Sequence, residues 1–101
     1  MTGSGETKPR AGALVRIFEI SNKKGLHARA SAKFVQTVER FEAVVTVKRG
    51  GETVGGNSIM GLMMLSAAPG TSITVEAKGK EAAEVMEAIS ALIKRRFDED
   101  D

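Results

Sequence analysis

The sequence predicts an α+β open-faced sandwich: a four-stranded, mainly antiparallel sheet covered on one face by three helices, in the order β-α-β-β-α-β-α. Three observations lead there. A chain of 101 residues has room for one domain with one modest core. Strand-like stretches alternate apolar and polar side chains, the mark of a sheet with one wet face. Between them, helical spacing recurs in three separate stretches, enough to cover the dry face.

Each element has a local cause. Residues 1–13 are small, polar and charged without periodicity and read as a disordered leader. The run 14–20, Leu-Val-Arg-Ile-Phe-Glu-Ile, is short, β-branched and aromatic, hence a strand. A polar, basic turn ending at Gly25 follows. From Ala28, the residues Ala30, Phe34, Val38 and Phe41, with Val35 beside them, form one apolar helical face. Arg29, Lys33, Gln36 and Arg40 form the opposite, polar stripe. Ala43, Val45 and Val47 then alternate with Thr46 and Lys48, and Arg49-Gly50-Gly51 supplies a hairpin turn into a short strand, 52–55. Asn57 or Ser58 is a suitable N-cap for the apolar run that starts at Ile59, and Pro69-Gly70 ends it. The stretch 71–77 alternates again. Ala82, Val85, Met86, Ile89, Leu92 and Ile93 define the last amphipathic helix, with Lys94, Arg95 and Arg96 at its negative end.

Composition narrows the chemistry. Cysteine is absent and histidine occurs once, which excludes disulfides, thiolate nucleophiles and multi-histidine metal centres. The net charge of +2 does not make nucleic acid the default partner. Asp98, Glu99, Asp100 and Asp101 close the chain as an acidic tail; the residues before them carry fifteen basic against nine acidic side chains. Such a body suits anionic groups or acidic protein surfaces. The longest apolar-rich stretch, 59–68, is too short to span a bilayer. No export signal is visible, so a cytoplasmic location is expected.

His27 lies at or beside the N-cap of the first helix. The amides of Ala28, Arg29 and Ala30 have no intrahelical acceptors there, and the helix dipole adds partial positive charge. That makes an anion site, to which Arg29 adds a planar cation able to hold two phosphoryl oxygens. Imidazole is neutral and nucleophilic near pH 7, its unperturbed pKa being about 6.5, and its phosphoramidate passes its group onward. These local features leave two readings open: a phosphoryl acceptor, or a histidine that only caps a helix in a non-catalytic ligand- or RNA-binding module. The second is disfavoured for RNA because Trp and Tyr are absent and stacking platforms use them.

Two motifs make a resemblance specific. The run 25–32, Gly-Leu-His-Ala-Arg-Ala-Ser-Ala, resembles the active-site signature of the HPr family, the histidine-containing phosphocarriers of the bacterial phosphotransferase system. The run 57–65, Asn-Ser-Ile-Met-Gly-Leu-Met-Met-Leu, is similar to that family's regulatory-serine segment and second helix. The motifs lie at the family separation, and the resemblance runs over residues 14–97.

What the resemblance implies can be carried over residue by residue. His27 accepts a phosphoryl group on Nδ1 from phosphorylated enzyme I, ultimately from phosphoenolpyruvate, and donates it to a histidine of a IIA-type protein, in sugar uptake or in a regulatory branch. Arg29 and the amides of Ala28, Arg29 and Ala30 steady the group; transfer of this kind is largely positioning and charge stabilisation. Ser58 matches the regulatory phosphoserine made by a HPr kinase/phosphorylase, where added charge alters an interface that receives acidic partners. Ala32, Ile59, Met60, Met63 and Met64 are expected to dock donor and acceptor, exposed methionines making an adaptable apolar patch, with Leu62 and Leu65 in the core. No metal and no organic cofactor is implied, nor membrane insertion, and the carrier is expected to be a monomer, not itself an enzyme. Ala30 stands where many members have proline and Ala28 where others have a hydroxyl residue. Alanine keeps the helical turn with less rigid preorganisation.

Overall fold

The structure, a computed structural model, describes residues 13–99; all but the last residue of the leader expected over 1–13, and the last two residues of the tail expected over 98–101, lie outside the described part. The element order is β1 (Ala13–Glu19), α1 (Ala28–Val38), β2 (Val44–Arg49), β3 (Glu52–Gly55), α2 (Ile59–Met64), β4 (Ser72–Lys78) and α3 (Ala82–Lys94), followed by one 3-10 turn, Arg96–Asp98. The sheet runs in the spatial order β1-β4-β2-β3, and every pairing in it is antiparallel.

Alternation decides which face is dry. Val45 and Val47 of β2 and Ile73, Val75 and Ala77 of β4 are buried, and registers that pair Val45 with Ala77 and Val47 with Val75 stack them on one side. The intervening Val44 and Ile17 face solvent at 61% and 70% exposure, so the other side of the sheet is open. The strand edges differ from expectation by a residue. Ala13, expected in the leader, pairs with Lys78 and is buried, because β4 runs on to Lys78 and offers it a partner.

The three helices close the core. Ala30, Phe34, Val35 and Val38 of α1 meet Val85, Met86, Ile89, Leu92 and Ile93 of α3, with Leu62 of α2 beneath them. Each large side chain so buried stabilises the fold by about 1.5–3 kcal/mol before entropy is counted. Phe41, expected on the α1 face, lies past the helix end in a turn where its amide donates to the Val38 carbonyl at 3.1 Å; it packs on the core only partly buried.

Candidate functional site

Gly25 sets the turn that delivers His27. Its φ of +65° belongs to the left-handed region that glycine enters at no steric cost. A Cβ there would stand 2.3 Å from the Ala67 carbonyl oxygen. That same oxygen accepts from the Leu26 amide at 3.0 Å, so the loop after α2 is laced directly to the turn before α1. Asn22, fully buried, donates from Nδ2 to the Gly25 carbonyl at 2.8 Å and tightens the turn from inside.

The sequence places His27 at or beside the N-cap, and the structure makes it the N-cap residue itself, with extended backbone and no side-chain cap bond. The first helical bond runs from the Ser31 amide to the His27 carbonyl at 2.8 Å, so the amides of Ala28, Arg29 and Ala30 precede the ladder and point out of the helix end. The His27 side chain is 28% exposed, open enough to be reached. It lines a cavity of about 440 Å³ together with Lys23, Lys24, Arg29, Lys33 and the tail residues Phe97, Asp98 and Glu99. A second, shallower depression of about 210 Å³ on its other flank is bordered by Ser66, Ala67 and Ala68. Arg29 is exposed on the cavity wall, beside His27 rather than bonded to it.

The tail is where sequence reasoning missed structure. Expected only as an acidic tail over 98–101, it bends back over its described residues. Arg96, Phe97 and Asp98 adopt φ of 58°, 56° and 61°, a left-handed turn that costs about 1–2 kcal/mol per non-glycine residue. Three anchors hold it. Phe97 is 1% exposed, sunk in the core. Asp98 bridges Lys33 on α1 at 3.2 Å and Arg95 at 2.9 Å, and these hydrogen bonds, that of Arg95 first, hold its carboxyl below the ordinary 3.8. Glu99 Oε2 then meets His27 Nε2 at 2.5 Å and accepts from Asn22 Nδ2 at 2.9 Å. Burial works to raise the Glu99 carboxyl, but the hydrogen bonds from His27 and Asn22 together outweigh it and hold it below 4.5. The lone apolar Phe97 amid charged residues was the one sequence sign of this docking; nothing in the local pattern pointed to Asn22.

The second motif folds as its residues suggest. Ser58, not Asn57, is the N-cap of α2, its Oγ accepting from the Gly61 amide at 2.9 Å. Leu62 and Leu65 are buried. Ile59, Met60, Met63 and Met64 are 40%, 70%, 39% and 71% exposed, an apolar patch joined to the His27 turn through the 66–68 loop. Ala32 is half-buried on α1. Among the described residues no group of His, Cys, Asp or Glu could hold a metal ion, and no helix is long and apolar enough to cross a membrane.

Known proteins similar to this chain fall in one family. Residues 14–95 match the family model described as the PTS HPr component phosphorylation site. The chain is 51% identical over 86 residues to the phosphocarrier protein HPr of Neisseria meningitidis serogroup A, covering 85% of this chain and 97% of that one. It is 40% identical to the phosphocarrier protein NPr of Shewanella violacea, covering 85% and 94%. Among solved structures, HPr from Thermoanaerobacter tengcongensis superposes with a TM-score of 0.82 at 37% identity, covering 86% of this chain and 98% of that one. A matching sheet order, helix for helix, and a family match spanning both motifs lead to one conclusion: the chain belongs to the HPr family of phosphocarriers of the phosphotransferase system, proteins that carry a phosphoryl group and do not themselves act as enzymes.

Proposed function

We propose that His27 is the residue that carries the phosphoryl group, accepting it from phosphorylated enzyme I and passing it to a IIA-type protein. The observation that carries this reading is a reachable imidazole at the N-cap of α1, on a cavity it shares with Arg29, Lys23, Lys24 and Lys33. Arg29, Lys23, Lys24 and three outward amides oppose the charge of a phosphoryl group, while Lys33 on the same wall is paired with Asp98; Arg29, unpaired among the described residues, is able to swing over two of its oxygens. The patch of Ile59, Met60, Met63 and Met64, with Ala32 on the facing helix, docks donor and acceptor in turn. Ser58 is the regulatory phosphorylation site for a HPr kinase/phosphorylase, its hydroxyl lying at the edge of that patch, and a phosphate there sets negative charge against acidic partners. The carrier works as a monomer in the cytoplasm.

The test is chemical. Incubation with phosphoenolpyruvate and enzyme I is expected to add one phosphate in an acid-labile, base-stable linkage, and His27→Gln is expected to abolish it. Label that persists in that variant would place the carrier residue elsewhere.

A further inference from the structure

We propose that Glu99, aimed by Asn22, is a positioning residue for phosphoryl transfer: it holds the proton of His27 on Nε2 and leaves Nδ1 as the nucleophile. This rests on the reading of His27 as the carrier and names what prepares it.

Glu99 Oε2 contacts both His27 Nε2 at 2.5 Å and Asn22 Nδ2 at 2.9 Å. A carboxylate has no proton to give, and the two hydrogen bonds keep this one ionised below the ordinary range. Nε2 must therefore be the donor, and in the neutral ring the lone pair is on Nδ1. Histidines that bind metals are set by the same device, a carboxylate on the far ring nitrogen that fixes tautomer and orientation. His27 supplies no cap bond to its own helix, so the carboxylate is the group that orients the ring.

The aim of Glu99 is itself built. Asn22 is fully buried and spends Nδ2 on both the Gly25 carbonyl and Glu99, while among the described residues its Oδ1 has no partner. The left-handed run at Arg96, Phe97 and Asp98 costs stability, and it falls at the turn that brings this carboxylate onto the ring.

In the transfer step, the Nδ1 lone pair forms the bond to phosphorus while the bond from phosphorus to the donor breaks and its electron pair leaves with the donor. No proton moves. The ring keeps its Nε2 proton and gains positive charge, which the Glu99 carboxylate faces across the hydrogen bond; Arg29 and the helix amides receive the phosphoryl oxygens on the other side.

The experiment uses the full chain and its Glu99→Ala and Glu99→Gln variants. Imidazole ¹⁵N shifts, measured where the ring is neutral, are expected to show a single Nε2-protonated form in the parent and a mixture in both variants. Single-turnover uptake from phosphorylated enzyme I is expected to slow about ten- to a hundredfold, the range that such partners carry at metal-bound histidines, with the loss in the saturated rate and not in KM. An unchanged rate, a loss confined to KM, or an unchanged tautomer would overturn the proposal, and faster uptake would make the tail a competitor for the site instead. Absence of label on the parent's His27 would sink the carrier reading itself, an outcome distinct from normal labelling that ignores Glu99.

Discussion

Gly25→Ala and Gly50→Ala form a matched pair. Both glycines have nearly the same left-handed backbone, φ of +65° and +60°, so each substitution costs about 1–2 kcal/mol for placing a Cβ in that region. They differ in what the methyl meets. At Gly50 there is nothing within 4 Å, whereas at Gly25 the main-chain oxygen of Ala67 lies 2.3 Å away. A main-chain atom cannot rotate aside, so the two loops must part, and the bond from the Leu26 amide to that oxygen is lost at about 1 kcal/mol. Gly50→Ala is thus expected to cost about 1 kcal/mol and Gly25→Ala about 3, against on the order of 5–10 kcal/mol for a domain of this size. Urea denaturation reads the difference: with a slope of about 1–1.5 kcal/mol/M, the midpoint of Gly25→Ala should fall about 1–2 M below that of Gly50→Ala. Because the parted loop carries His27, phosphoryl uptake should drop in Gly25→Ala only. Equal midpoints would refute the idea that contact with the Ala67 loop, rather than backbone conformation alone, demands glycine.

Other outcomes follow from single contacts. Ser58→Ala removes the hydroxyl that accepts from the Gly61 amide and should cost about 1 kcal/mol by thermal unfolding; Ser58→Asp keeps a cap, so slower uptake in that variant at undiminished stability would report charge alone. Met60→Glu, at a side chain 70% exposed, should leave stability within about 0.5 kcal/mol yet weaken enzyme I binding about tenfold or more by calorimetry; undiminished affinity returns that face to ordinary surface. The depressed Glu99 carboxyl stabilises the fold fully above its ordinary 4.5 and less as pH falls through its lowered value. The gap in melting temperature between the parent chain and Glu99→Gln should therefore be present above that pH and close in acid; a gap that widened in acid would reverse the sign.

The core was legible because burial follows period. Every apolar position assigned to α3 from spacing is buried, and β2 and β4 turn inward the residues their alternation selects. Phe41 was misplaced because spacing continues past a helix end without marking it. The site was half legible. His27, Arg29 and Ser58 belong to contiguous motifs, so local order alone places them at helix starts. Asn22 and Glu99 are separated by 77 residues, and no pattern within a window joins them.

What the chain determines by itself is therefore what neighbours along it can decide: which residues face inward, where helices begin, which turn needs glycine, and which imidazole stands at a helix end. Which charges meet was decided only in three dimensions. Burying Phe97 carries the acidic end across α1, and that packing, together with the Asp98 ion pairs and the Asn22 hydrogen bond, lays a carboxylate on the His27 ring. Secondary structure answers to short-range periodicity; a hydrogen bond between distant segments answers to the shape of the core that brings them together.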